Sequence, residues 1–170
     1  GEGKRMKSKH PKVSHKLLGK SMLQHLADTL REAGIYDIVV VIGHQADEVK
    51  ECVDGQVKFV LQQEQKGTAH AVMCAADLIK ANCGITLILN GDAPLILPET
   101  IKSLTSFHKD HGYQGTVVTS DLKDPAGYGR IVKDFSGAIE KIVEEKDATE
   151  QEKKINEINS GMYCFDTQAL

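Results

Sequence analysis

The stretch ITLILNGD, residues 85–92, decides the fold. Ile85–Leu89 is apolar almost throughout, without the polar alternation of a half-exposed strand. It predicts a short strand covered on both faces. The run stops at Asn90-Gly91-Asp92, a polar corner. In open α/β sheets, ligands bind outside the carboxyl ends of the strands, where this corner lies. An Asx turn leaving a strand has the same composition.

Working outward, the same texture repeats. On the amino-terminal side, Thr68–Lys80 predicts a helix with Val72, Met73, Ala76 and Ile79 on one side. Before it come a strand at Val57–Leu61, a helix at Gln45–Val53 and a β-branched strand at Ile38–Ile42. Met22, Leu23, Leu26, Ala27 and Leu30 recur at helical spacing, and Gly34 ends that helix. On the other side, Pro98 opens a helix running to about His108, and Gly115–Ser120 is a strand. Strands alternating with helices of this length predict βαβ units and a parallel sheet. Beyond residue 130 the texture changes. Ile131–Lys133 and Ala138–Val143 flank Asp134-Phe135-Ser136-Gly137, a hairpin signal, and Glu157–Phe165 is a last strand. Antiparallel pieces are therefore added to a doubly wound core. DATEQEKK, residues 147–154, is a charged surface loop or short helix.

The 170 residues are 41% apolar and 26% charged, an ordinary globular balance. A net charge of -3 gives no electrostatic case for nucleic acid or an anionic membrane. No apolar run approaches the ~18 residues of a membrane span. The basic start, GEGKRMKSKHPK, has no apolar stretch behind it and does not predict a secretory signal. Cys52, Cys74, Cys83 and Cys164 show no CxxC spacing, so they predict reduced thiols in a cytoplasmic protein. The seven histidines show no metal spacing, and His25 and His108 are expected on helix surfaces or partly packed.

Four clusters have the residue types for chemistry. Gly1-Glu2-Gly3-Lys4-Arg5, followed by Lys7, Lys9 and Pro11-Lys12, combines a glycine-rich backbone with cations, which suits phosphate. A solvated basic tail has the same residues. LQQEQKGTAH, residues 61–70, joins a strand to a helix; Gln62 offers a donor and an acceptor, as a pyrimidine edge requires, and Thr68 is placed to cap the helix. A polar connecting loop fits equally. Asp92 is a lone carboxylate suited to Mg²⁺, which takes few protein ligands. Gly127-Tyr128-Gly129-Arg130 lies at a strand start, where glycines permit close approach of a ligand or make a simple turn. Glu144 and Asn159 are polar positions in or beside strands, suited to sugar hydroxyls or to solvent.

Taken together, Gly1–Lys12, LQQEQKGTAHA, LNGDAPLI, DPAGYGRIV, IVEEKDA and EINSG resemble the uridyltransferase half of the bifunctional enzymes that make UDP-N-acetylglucosamine in bacteria. The resemblance covers essentially the whole chain. It implies a Rossmann-like nucleotide-diphospho-sugar transferase fold, mostly parallel with an antiparallel sugar-binding edge. It implies UTP and N-acetylglucosamine 1-phosphate as substrates, UDP-N-acetylglucosamine as product and Mg²⁺ as cofactor. By the same resemblance Gly1 lies on the nucleotide, and Arg5 and Lys12 hold the triphosphate and stabilise the transferring phosphoryl group. Gln62, Gly67 and Thr68 contact the uracil side, Asp92 ligates Mg²⁺, and Gly129, Glu144 and Asn159 hold the amino sugar. The chain departs from the family pattern at Glu2, Lys4, Ser14, Ser21 and Ala93. With no strand before Gly1 and a stop at Leu170, residues 1–170 are expected to be part of a longer uridyltransferase domain. The family's left-handed β-helix acetyltransferase domain, which builds its trimer, and its second metal ligand, an Asn, are not in this sequence. Two alternatives stay open: a related nucleotidyltransferase of other base or sugar, and an inactive fragment that binds a sugar nucleotide.

Overall fold

A computed structural model describes residues 8–43, 45–81 and 83–170. Two short strands, β1 (Lys16–Leu17) and β2 (Lys20–Ser21), form a ladder that leads into helix α1 (Met22–Glu32). Ser21 caps α1 by accepting the Gln24 N–H at 2.9 Å, which satisfies one of the unpaired donors of the first turn. Leu23, Leu26, Ala27 and Leu30 are the buried face of α1, at helical spacing. Burying each leucine contributes about 2 kcal/mol. The chain leaves the helix through Gly34, whose φ of 89° requires a residue without a Cβ.

Strands β3 (Val39–Ile42) and β4 (Lys58–Leu61) pair in parallel, joined across α2 (Ala46–Glu51). They are the βαβ unit that the β-branched run predicts. Helices α3 (Thr68–Cys74) and α4 (Ala76–Lys80) then lead to β5 (Ile85–Ile88). The continuous helix expected over 68–80 is broken at Ala75, with φ -94° and ψ 3°, where the chain is buried at 4% exposure. Of the side expected to pack, Val72, Ala76 and Ile79 are half-buried, whereas Met73 is 71% exposed. Helix α5 (Pro98–His111) begins with Pro98 in its first turn and ends at Gly112 in the left-handed region, one turn beyond the expected His108. It buries Ile101, Leu104 and His108. His108, expected on the helix surface or partly packed, is packed more fully than that: it is 3% exposed and its Nδ1 meets the Thr116 hydroxyl at 2.8 Å.

The remaining strands, β6 (Gly115–Asp121), β7 (Arg130–Lys133), β8 (Ile139–Val143) and β9 (Glu157–Asp166), build a five-stranded sheet with β5. Strand β9 runs antiparallel to β5, β6 and β7, so β5 and β6 are parallel to each other on either side of it. The parallel pair is therefore β3–β4, whereas the antiparallel part is larger than an edge. The ten-residue β9 enters between two strands that are far apart in sequence, a long-range event that local patterning does not show. Strands β7 and β8 form the expected hairpin, with Asp134 accepting the Ser136 and Ala138 N–H groups in its turn. One core joins α1, α2, β3, Ile101 of α5 and Met162 of β9, with Leu87 and Val118 packed against it. The four cysteines are free, with Cys164 buried and Cys83 exposed. Among the described residues no helix is long and apolar enough to cross a membrane.

Candidate functional site

Gly1 and Arg5 lie outside the described residues. The other predicted positions fall into three groups.

The first group joins the basic segment to the Asn-Gly-Asp corner. Lys12 opens a short 3-10 turn, Lys12–Ser14. Val13 of that turn lies over Gly91, where an added Cβ would meet Val13 Cγ1 at 3.2 Å. Glycine at 91 thus allows the turn to approach the end of β5. Lys12 Nζ then donates to Asp92 Oδ2 at 2.6 Å. The turn is tied to the β3–α2 connection by Gln45 Nε2 to Lys9 O at 2.8 Å. Ser14 Oγ and His10 Nδ1 also reach Glu48 Oε1, at 2.9 and 2.8 Å. The Ser14 hydrogen bond, followed by His10, holds the Glu48 carboxyl below its ordinary range.

The second group is the loop after β4. The Gln62 N–H donates to Ile42 O at 2.7 Å, setting the loop at the carboxyl end of β3. Gln62 Nε2 donates to Gly67 O at 3.1 Å and lies 3.0 Å from His70 Nδ1. Because Gly67 offers only a carbonyl, the amide nitrogen must face it, and His70 Nδ1 accepts. Among the described residues no donor reaches the Gln62 amide oxygen, which is left to an outside donor. Gly67, with φ 99°, and not Thr68, occupies the cap position of α3, and no side chain caps this end. Thr68 is the first helical residue and is exposed, because the positive φ at Gly67 lets the helix start one position earlier than a Thr68 cap would.

The third group is a row across three strands. Arg130 of β7 is opposite Val143 of β8 and Ile158 of β9. One step along, Gly129 lies between Glu144 and Asn159. Asn159 N–H donates to Gly129 O at 2.8 Å. A Cβ on Gly129 would lie 3.4 Å from Glu144 Oε1 and 3.6 Å from Asn159 Cβ. The missing side chain leaves a space walled by an acid and an amide, the donors and acceptors that sugar hydroxyls match. Asn159 Nδ2 also reaches Tyr163 Oη at 2.5 Å.

Two residues that sequence reasoning did not place link the first group to the third. Strand β9 bulges between its pairings at Asn159 and Met162. Gly161, with φ 77°, lies in the bulge, and an added Cβ there would collide with the Asn90 amide. Asn90 precedes Asp92 by two residues, and Gly161 follows Asn159 by two. The glycine in EINSG was the available signal; only the fold shows what approaches it.

The fold is that of an α/β protein that gathers a cation, a carboxylate and hydrogen-bonding walls around the ends of its strands. The chain belongs to the nucleotidyl transferase family, whose model matches residues 1–170. It is 51% identical over 171 residues to the bifunctional protein GlmU of Clostridium botulinum strain 657, covering all of this chain and 37% of that protein. It is 52% identical over 170 residues to the bifunctional protein GlmU of Thermoanaerobacter pseudethanolicus, again 37% of that protein. The chain thus spans just over a third of the length of these relatives. Among solved structures it is similar to a UDP-glucose pyrophosphorylase complexed with UDP-glucose (TM-score 0.77, 17% identity), covering 99% of this chain and 74% of that one. It is also similar to HddC from Yersinia pseudotuberculosis (TM-score 0.71, 20% identity), covering 95% of this chain and 69% of that one. At these identities the structures show the fold alone, and they agree with the α/β reading.

Proposed function

We propose that this chain carries out uridylyl transfer, forming UDP-N-acetylglucosamine and pyrophosphate from UTP and N-acetylglucosamine 1-phosphate, in the cytoplasm. The observation that carries the reading is the approach of Asn90 to Gly161, which sets the Lys12–Asp92 corner beside the Gly129–Glu144–Asn159 row. A phosphate and the sugar attached to it are next to each other in such a product. Relatives about half identical to this chain, each a bifunctional protein GlmU, support the reading.

In the reaction, a phosphate oxygen of the sugar phosphate forms the new bond to the α-phosphorus of UTP. The bond from that phosphorus to the bridging oxygen breaks, and pyrophosphate leaves with its electrons. The attacking oxygen is already an anion, so no general base is required. What the protein supplies is alignment and positive charge. Lys12 and Arg5 supply charge; Gln62, Gly67 and Thr68 orient the base; Gly129, Glu144 and Asn159 orient the sugar.

The residues present fit Mg²⁺. Asp92 is a single, 38% exposed carboxylate at a strand end, which suits an ion that fills most of its shell with water and phosphate oxygens. Bound there, Mg²⁺ supplies a Lewis acid that neutralises phosphate charge. Asp92 would hold the ion, and the Lys12 ammonium, paired with Asp92 at 2.6 Å, would then be available to a phosphate oxygen.

The test is pyrophosphate release by the full-length protein from UTP, N-acetylglucosamine 1-phosphate and Mg²⁺. Loss of roughly 100-fold or more is expected for Asp92→Ala. Release equal to that variant's, or a preference for dTTP or GTP over UTP, overturns the assignment.

A further inference from the structure

Arg130 occupies an unusual position for an arginine. It is 1% exposed, the most buried charged residue among the described residues, and its Nε has no hydrogen-bond partner there. Such burial is costly unless the charge is compensated. Its guanidinium touches three separate segments. Nη1 donates to Tyr128 O in the loop that carries Gly129. Nη2 pairs with Glu145 Oε2 at 2.7 Å and lies 3.4 Å from Lys153 O. Glu145 Oε2 also accepts the Gly127 N–H at 3.1 Å. One buried fork thus holds Tyr128 directly and Gly127 through Glu145, the residue next to Glu144.

The register explains why this matters. Successive strand residues point to opposite faces. Arg130, Val143 and Ile158 make one row across β7, β8 and β9, and Gly129, Glu144 and Asn159 make the next. Each wall of the proposed sugar pocket is therefore the immediate chain neighbour of a residue in the Arg130 row. Glu145, two positions along from Val143, is pulled inward by the guanidinium. Glu144, between them, is presented on the outer face toward Gly129. A change at Arg130 moves Glu144 and Gly129 without removing any atom from the pocket.

We propose that Arg130, through Glu145, is a positioning residue for the sugar half of the ligand. It sets the distance between Glu144 and Asn159 across Gly129, and it has no contact with the nucleotide half. This rests on the sugar-pocket reading above. A lysine keeps the charge and three N–H groups, but on a single nitrogen, so it lacks the planar fork that reaches Tyr128 O from one end and Glu145 and Lys153 O from the other.

The test is calorimetric, so it does not depend on turnover. UDP and UDP-N-acetylglucosamine are titrated separately into the full-length protein, and the ratio of their Kd values gives the contribution of the sugar. In the unaltered protein UDP-N-acetylglucosamine binds more tightly than UDP. In Arg130→Lys that advantage falls about tenfold, while Kd for UDP stays within twofold. Glu145→Gln, at a half-buried position that tolerates change better, gives the same pattern should Arg130→Lys fold poorly. An unchanged ratio in both folded variants overturns the proposal, and so does equal weakening of both ligands, which is what general destabilisation produces. If the unaltered protein shows no sugar contribution, or if Glu144→Ala leaves that contribution unchanged, the sugar-pocket reading fails and takes this proposal with it.

Discussion

Lys12 Nζ and Asp92 Oδ2 lie 2.6 Å apart, although 80 residues separate them in the chain. Both side chains remain about two-fifths exposed, at 40% and 38%. An ion pair this exposed contributes only about 0.2–1 kcal/mol to stability. Its placement at the end of β5 matters more than its strength. Lys12→Met is therefore expected to leave Tm almost unchanged, while turnover falls by about 100-fold for want of charge at the phosphates. Thermal melting and pyrophosphate release on the same sample check this. A large drop in Tm with turnover intact would make the pair a structural brace and nothing more.

Glu152 gives a pH prediction. Its carboxyl takes the Lys141 ammonium at 2.7 Å and the Thr149 hydroxyl and N–H, each at 2.7 Å. The Lys141 hydrogen bond, then those from Thr149, lower its pKa from 4.5 to about 2. A lowered carboxyl pKa stabilises the folded state above the unfolded value, and the effect fades as pH falls through the folded one. The Tm difference between the unaltered protein and Glu152→Gln should be constant above pH 4.5 and shrink between 4.5 and 2. A difference that persists down to pH 2 would show that the contact does not depend on charge.

Gln62 predicts the base preference. Its amide nitrogen is held by Gly67 O and His70 Nδ1, so its oxygen faces outward as an acceptor. Uracil presents an N3–H donor to that oxygen, whereas cytosine presents a lone pair. Leaving a half-buried acceptor unmatched costs about 1–3 kcal/mol, so UTP should be preferred to CTP by at least about tenfold. His70→Leu, which removes one of the two acceptors that hold the amide nitrogen and leaves Gly67 O, should narrow the gap by weakening UTP. Competition titrations with the two nucleotides read it directly, and an unaltered gap in His70→Leu would remove the histidine from the account.

The sequence shows those parts of this molecule that are local. Periodicity places α1 and the β3–β4 unit within a residue or two, because burial on one helix face and β-branched packing act over a few positions. The hairpin around Asp134–Gly137 is legible for the same reason. The central position of β9, the break at Ala75 and the burial of His108 are not, since each depends on segments distant in the chain. The candidate site divides the same way. Residue types at 62, 92, 129, 144 and 159 were recognisable, yet only the pairing of β7 with β8 and β9 puts 129, 144 and 159 in one row. The approach of Asn90 to Gly161 stayed hidden because a glycine's need for space appears only when its neighbour does.

That glycine gives the sharpest mutational contrast. Gly161 and Gly137 have similar positive φ values, 77° and 87°. An alanine at either position costs about 1–2 kcal/mol in the left-handed region. At Gly137, in the exposed hairpin turn, nothing lies within 4 Å of the new methyl group. At Gly161 the methyl meets the Asn90 side-chain amide, which must give way at the Asn-Gly-Asp corner. Both variants should lose similar stability in urea unfolding, but only Gly161→Ala should also lose turnover, by about tenfold or more through misplacement of the corner. Equal activity in the two variants would mean that the corner and the bulge move independently, and that the phosphate and sugar groups do not form one site.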